Sequence, residues 1–131
     1  MTKELKPNLL EGKTADDFLE TAEAVIREMG REDFVYEPPD PYAGCLYCDP
    51  ETGDPSCLIG HVLHRWGVLE YAEEEMDALF VLEEQLGCAD AELSNLAQEM
   101  QSMQDEGRTW GGALESGKVL LWEWRGEDDD N

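Results

Sequence analysis

The sequence predicts an α+β fold: a mainly helical single domain of four to five helices with a small two- to three-stranded antiparallel sheet. Several stretches repeat apolar residues at helical spacing, whereas others alternate apolar and polar residues as strands do. The chain has 131 residues, which is enough for one proper hydrophobic core. We therefore expect an N-terminal arm at 1–13, a single globular domain at 14–125 and an acidic disordered tail at 126–131.

The first predicted helix begins after Thr14, whose hydroxyl can cap it, and stops at Gly30, a residue suited to the turn that ends a helix. Asp16 and Asp17 fall in the first turn, where the helix dipole favours negative charge. The apolar residues of this segment recur at helical spacing: Phe18, Ala22, Val25, Ile26 and Met29. An amphipathic helix is therefore predicted here.

Two more helices are predicted on either side of Gly67. The first covers about 57–66 and has one broad apolar face, which indicates a central place in the core. Within it, Gly60 would let another element come close. The second covers 69–86, stops at Gly87 and points most of its acidic residues outward.

Asp90 is predicted to cap the next helix. Its apolar residues keep the same period: Leu93, Leu96, Ala97, Met100 and Met103. Gln101 and Asp105 lie one turn apart and are expected to hydrogen-bond along the helix or to cap the turn that follows it. Thr109 then starts a short helix that carries Trp110 inward, and a polar partner for this indole would fix the angle between two helices.

The sheet is predicted from three segments. The clearest is 118–125, in which Leu120, Trp122 and Trp124 share one face of a strand. Segment 33–37 is short and aromatic, and the prolines that follow it would end a strand. Segment 42–48 is the third candidate. We expect 118–125 to pair with one of the other two.

The charge of the chain is far from ordinary. It has 32 acidic and 9 basic residues, for a formal net charge of −23. Such a field repels nucleic acid and anionic membrane surfaces and favours a basic surface on a protein partner. Between Arg31 and Arg108 the one basic residue is Arg65, among 19 acidic residues. The folded middle of the chain therefore carries part of the negative charge excess. This charge either attracts a basic partner or only keeps the protein in solution.

A partner-binding surface is predicted on the acidic faces of the third and fourth helices. Its residues are Glu70, Glu73, Glu74, Asp77, Glu83, Glu84, Glu92 and Glu99. A sharper form of this hypothesis is DNA mimicry, in which two rows of carboxylates imitate phosphates and occupy a nucleic-acid-binding groove. Carboxylates scattered evenly over the domain would indicate solubility alone.

The cysteines and histidines suggest an alternative, a zinc-stabilised domain. Cys45, Cys48, Cys57 and His61 read C-x2-C-x8-C-x3-H, and thiolates and imidazoles are the ligands that zinc prefers. Against zinc, the first pair lacks the glycine-rich turn common around zinc sites, and Cys57 begins an apolar face on which a thiol packs well. No metal or other cofactor is favoured.

A second alternative is a small hydrolase that uses Cys57 or His61, and it predicts an open pocket beside those side chains. No oxyanion-hole pattern accompanies them, so we expect no enzyme activity. The acidic residues Asp49, Glu51 and Asp54 lack the ligand order of a calcium loop and are interpreted as a surface turn. The chain has no signal-peptide core and no apolar run long enough to cross a bilayer, which predicts a cytoplasmic protein with free thiols.

Parts of the sequence resemble a known group of proteins. They are 55–63 (PSCLIGHVL), 66–68 (WGV), the Ala97-Gln98 pair, and Gln104-Asp105-x-Gly107-x-Thr109-Trp110-Gly111-x-Ala113-Leu114. These phrases are similar to those of small uncharacterised proteins encoded by actinobacteria and their bacteriophages. The resemblance covers about half of the chain, from Cys45 to Leu114. It implies a small cytoplasmic or phage-encoded accessory protein without assigned catalytic residues, and it includes Cys45 and Cys57 but not Cys48.

The favoured function is a small acidic protein-binding module, which could be a phage-encoded modulator of a host protein. It would act in the cytoplasm, or in the host cytoplasm if a phage encodes it. The size of the acidic field is the reason for this preference.

Overall fold

The computed structural model describes residues 9–37, 47–49, 51–72 and 76–126. In these residues the fold is helical. The helices are α1 (Ala15–Met29), α2 (Leu58–Arg65), α3 (Ala78–Phe80), α4 (Ala91–Asp105) and α5 (Trp110–Arg125). A 3-10 turn (Leu69–Tyr71) follows α2, and a π-helical turn (Val81–Gln85) continues α3. None of the helices in the described part is long and apolar enough to cross a membrane.

The prediction of α1 is confirmed. Thr14 and Asp17 cap the helix reciprocally, each side chain accepting a hydrogen bond from the other residue's backbone N–H. Gly30 ends the helix in the left-handed conformation, with a φ of 65°, which glycine adopts at little cost. The buried face of α1 contacts α2, α4 and α5. Its members are Ala15, Phe18, Ala22, Val25 and Ile26.

Helix α2 is central, as its apolar pattern predicts. Leu58, Ile59, Val62 and Leu63 are completely buried. Gly60 has the predicted close neighbour, because a Cβ added there would lie 2.0 Å from the backbone oxygen of Tyr47. The backbone of Tyr47 therefore lies directly against α2 at Gly60.

The predicted continuous helix over 69–86 is wrong. The chain makes one 3-10 turn at Leu69–Tyr71 and starts again at Asp77, whose Oδ1 accepts a hydrogen bond from the backbone N–H of Phe80. A π-helical turn follows, in which the N–H of Leu86 reaches the carbonyl of Val81 at 3.0 Å. This wider turn buries Val81, Leu82 and Gln85 together. Residues 73–75 lie outside the described part.

Helices α4 and α5 form the most extensive helix pair, and they run antiparallel. They meet where α5 has Gly117, since a Cβ there would lie 2.8 Å from both Leu96 Cδ1 and Met100 Sδ. At the far end of the pair, Arg125 of α5 binds Glu92 of α4 and Asp16 of α1. The C-terminal end of α5 is therefore tied to both neighbouring helices.

The predicted sheet is wrong, and the fold is not α+β in the part of the chain that the structure describes, where no strand occurs. Segment 118–125 continues helix α5 without a break. The helical register brings Gly117 and Leu121 to the core with the earlier apolar residues of α5, whereas a strand would break this stripe. In segment 118–125, tertiary packing outweighs the local preference of these residues for a strand.

The other two strand candidates fail for different reasons. In 33–37, Val35 makes one isolated antiparallel bridge to Thr109, and the carbonyls of Glu32 and Phe34 accept hydrogen bonds from the N–H groups of Gly111 and Trp110. This segment therefore caps the start of α5. In 42–48, residues 42–46 lie outside the described part, and Cys48 makes an isolated bridge to Pro55.

Candidate functional site

Three of the acidic residues predicted to bind a partner are engaged within the protein. Asp77 caps α3. Glu83 accepts a hydrogen bond of 2.6 Å from the Ser94 hydroxyl. Glu92 lies 2.9 Å from Arg125, with only a quarter of its side chain exposed. These carboxylates stabilise the fold and are not freely available to a partner.

The remaining predicted residues lie on different elements. Glu70 belongs to the 3-10 turn, and its hydrogen bond to Tyr71 raises the pKa of that phenol. Glu84 is exposed on the π-helical turn. Glu99 lies on α4 beside a groove against α5. Glu73 and Glu74 lie outside the described part.

The outer face of α5 carries a feature that the strand prediction concealed. Val119 and Trp122 are 49% and 50% exposed and lie one helical turn apart. Glu115 and Glu123 lie one turn before and one turn after Val119 on the same helix. We call these four residues the α5 surface: Glu115, Val119, Trp122 and Glu123. Within this surface the apolar pair of Val119 and Trp122 lies between the carboxylates of Glu115 and Glu123.

A shallow groove of about 330 Å³ runs beside this surface. It is lined by Glu99, Gly112, Glu115, Ser116, Val119, Leu120 and Glu123. Glu99 is therefore the member of the predicted acidic set that lies next to the α5 surface. Trp124 is also 48% exposed, but it lies two residues beyond Trp122 and points about 200° away around the helix.

A sequence signal for the α5 surface exists. The residues that α5 buries are Trp110, Ala113, Leu114, Gly117 and Leu121, which follow the 3.6-residue period of a helix across the whole segment. Extending the short helix that starts at Thr109 would have placed Val119 and Trp122 on the opposite, exposed face. The alternation of 118–125 hid this period.

The glutamines of α4 have structural roles. Gln98 Oε1 accepts a hydrogen bond from the N–H of Leu79, and Gln101 Oε1 accepts one from the N–H of Ala78. Gln104 Oε1 accepts a hydrogen bond from the N–H of Leu58. Each bond satisfies a backbone donor in the first turn of α2 or α3 that has no partner within its own helix. The prediction that Gln101 hydrogen-bonds along its own helix or to the turn after it is wrong, because its side chain bonds to Ala78 at the start of α3.

The polar partner expected for Trp110 is confirmed. Trp110 is completely buried, and its indole N–H donates to Gln104 Oε1 at 3.0 Å. The ring of Phe34 packs edge-on against it at 4.9 Å between centroids. Arg31 lies over both rings, with its guanidinium carbon 4.4 Å from the Phe34 centroid and 5.2 Å from that of Trp110.

Cys57 and His61 pack against other residues of the described part of the chain. Cys57 is completely buried, and its sulfur caps α2 by accepting from the N–H of Gly60 at 3.5 Å. His61 packs against Trp110 with 5.6 Å between ring centroids. Burial, with smaller contributions from Arg31 and two other cations, lowers the pKa of His61 to about 4. The Cys57 thiol is therefore not accessible to a substrate.

The zinc alternative depends on Cys45, which lies outside the described part. Within that part, no group of three or more His, Cys, Asp or Glu side chains could hold a metal ion. Cys48 and His64 line a groove of about 510 Å³ together with Glu70. Asp49 and Glu51 belong to a tight turn, in which the Asp49 carboxylate accepts a hydrogen bond from the N–H of Glu51. The interpretation of this segment as a turn is confirmed.

Comparison of the chain with protein-family models, with curated proteins and with solved structures found no significant match.

Proposed function

We propose that the protein is a protein-binding module and that the α5 surface contacts its partner. The observation that carries this proposal is the exposed Val119–Trp122 pair between Glu115 and Glu123. Tryptophan is strongly enriched among residues that dominate binding energy, and exposed apolar side chains with a polar rim are typical of interaction sites.

The charge of the chain supports a basic partner. At −23, two copies repel each other, which disfavours self-association through the α5 surface. A cationic segment is attracted instead, and the three carboxylates of Glu99, Glu115 and Glu123 surround the place where it would lie. We propose an amphipathic basic helix, whose apolar side covers Val119 and Trp122 while its lysines or arginines face the acidic rim.

We therefore propose the contact surface on α5 instead of on the third and fourth predicted helices. DNA mimicry needs two rows of carboxylates on one face, and an apolar pair at the centre of the surface suits a protein helix better than a phosphate-binding groove. A role as a phage-encoded modulator of a host protein, acting in the cytoplasm, remains compatible with a module of this kind. Enzyme activity is not part of the proposal.

The test uses a synthetic amphipathic Lys/Leu helical peptide as the probe and isothermal titration calorimetry as the measurement. Trp122→Ala is expected to weaken binding about tenfold or more. Glu115→Gln combined with Glu123→Gln is expected to weaken binding at low salt, and the difference from the wild type should shrink at high salt.

Two controls separate a specific surface from bulk charge. Glu20→Gln with Glu51→Gln removes two exposed carboxylates elsewhere and should leave binding nearly unchanged. A peptide with the same lysines but no leucines should bind far more weakly than the amphipathic one. Equal losses in both double variants, or unchanged binding by Trp122→Ala, would show that net charge alone attracts the peptide and would overturn the proposal.

A further inference from the structure

A second concave feature neighbours the groove between α4 and α5, and the two share Glu115. It has a volume of about 760 Å³ and lies between the end of α1, the turn that follows it and the first two turns of α5. Its apolar members are Ile26, Phe34 and Leu114. The first and last of these are almost completely buried, so they form the floor.

The positive charges of this groove are unusual for so acidic a protein. Seven of the nine basic residues fall in the described part of the chain. Three of these seven, Arg27, Arg31 and Lys118, line the groove. Lys118 is 3.6 Å from Glu115 on its own helix.

Arg31 has no carboxylate partner among the described residues, although acidic side chains line the same groove. Its guanidinium lies over the rings of Phe34 and Trp110, and its side chain donates no hydrogen bond to another described residue. These cation–π contacts hold the guanidinium beside the two rings, and its N–H groups can donate hydrogen bonds to a ligand in the groove. A planar fork of this kind matches a carboxylate with two parallel hydrogen bonds.

The lining also limits the charge of a ligand. Four acidic residues, Glu23, Glu32, Asp33 and Glu115, line the groove with the three basic ones. The local balance is one negative charge, and the whole chain carries −23. A simple anion is therefore disfavoured in spite of Arg31. A ligand that presents a carboxylate to Arg31 and an ammonium group to the acidic rim has no net charge and avoids this cost.

We propose that the groove binds a small zwitterion of the α-amino-acid class with an apolar side chain. Its carboxylate accepts hydrogen bonds from Arg31, its ammonium group faces the acidic rim, and its side chain covers Ile26, Phe34 and Leu114. The site is independent of the protein-binding function proposed above, apart from Glu115, which lies at the edge of both grooves.

The wild-type protein can be tested with three related ligands, by calorimetry and by the NMR shift of the Trp110 indole N–H. L-Phenylalanine carries both charged groups, L-phenylalaninamide lacks the carboxylate, and 3-phenylpropanoate lacks the ammonium group. Phenylalanine is expected to bind at least about tenfold more tightly than either analogue, since each loses a charged hydrogen-bonding group. Similar binding by all three, or no binding at about 1 mM phenylalanine, would overturn the proposal.

Two variants locate the site. Arg31→Lys keeps the positive charge but removes the planar fork, and it should weaken phenylalanine binding about tenfold or more. Arg108→Lys is the matched control, because Arg108 is exposed outside the groove, and it should bind like the wild type. Equal affinity in wild type and Arg31→Lys would place the ligand elsewhere and contradict the proposal. Trp122→Ala should leave phenylalanine binding intact, which separates this site from the α5 surface.

Discussion

Gln104 joins three helices through one oxygen atom. Its Oε1 accepts a hydrogen bond from the indole N–H of Trp110 and another from the backbone N–H of Leu58, both at 3.0 Å. Gln104 lies on α4, Trp110 begins α5 and Leu58 begins α2. The two donors are buried, so a single side chain satisfies polar groups that water does not reach.

Replacing Gln104 should be costly. Gln104→Ala leaves both buried donors without an acceptor, and we expect a loss of about 3 kcal/mol in the free energy of unfolding. Urea denaturation followed by circular dichroism measures this loss. Gln98→Ala is the matched control on the same helix, because Gln98 is only half-buried and accepts from one N–H. Its expected cost is about 1 kcal/mol, and equal losses for both variants would contradict the role given to Gln104.

Two buried helical glycines should respond differently to alanine. In Gly60→Ala the new methyl group meets the backbone oxygen of Tyr47 at 2.0 Å, and a backbone group cannot move without displacing its whole segment. We expect a loss of about 3 kcal/mol or a failure to fold. Gly117→Ala meets only the flexible ends of Leu96 and Met100.

In Gly117→Ala, those side chains can move aside, and alanine favours the helix by about 1 kcal/mol. The net loss of stability should therefore be small. Thermal unfolding of both variants checks the contrast. A Gly60→Ala protein as stable as the wild type would show that Tyr47 does not lie against α2.

His61 should make stability depend on pH. Its pKa in the folded protein is about 4, below the usual 6.5, so the unfolded chain binds the extra proton between these values. Above pH 6.5 His61 is neutral in both the folded and the unfolded chain, so its titration does not lower the free energy of unfolding. As the pH falls from 6.5 to 4, the proton binds mainly to the unfolded chain, and the free energy of unfolding decreases. Because the ring is partly exposed, we expect a loss of about 1–2 kcal/mol.

Protonation of many carboxylates also changes stability over this pH range. The measured quantity is therefore the difference in the free energy of unfolding between the wild type and a variant. His61→Gln removes the titration, so the wild type should lose stability relative to this variant between pH 6.5 and 4. His64→Gln changes an exposed histidine and serves as the control. A constant difference between wild type and His61→Gln across this range would contradict the prediction.

Arg125 should contribute stability that depends on salt. It binds Glu92 at 2.9 Å and Asp16 at 3.2 Å, and thereby joins α5 to α4 and α1. Arg125→Gln is expected to lower the free energy of unfolding by about 1 kcal/mol at low ionic strength and by less at high salt, because exposed ion pairs are screened.

Arg65→Gln is the comparison for Arg125, since Arg65 has one exposed pair with Glu28. It should cost less than Arg125→Gln in the same denaturation series. A larger loss for Arg65→Gln, or a loss for Arg125→Gln that does not change with salt, would indicate that packing and not charge connects these helices.

The sequence by itself determined the helices that begin with a clear cap and follow one period. Thr14 and Gly30 mark the two ends of α1, Asp90 marks the start of α4, and Gly60 signals the close approach to α2. These signals are local, because a cap or a glycine acts within one turn of the chain. The charge of −23 is also a property of the sequence alone.

Only the tertiary structure decided the features that depend on distant partners. Segment 118–125 has a strand-like pattern but is helical, because Gly117 packs on α4, Leu121 is buried and Arg125 binds two other helices. The helix predicted over 69–86 is interrupted, since side chains of α4 supply the acceptors for a new start at Ala78. In both segments contacts with other helices outweigh differences in local propensity of about 1 kcal/mol or less per residue, and these contacts are what place Val119 and Trp122 on the surface.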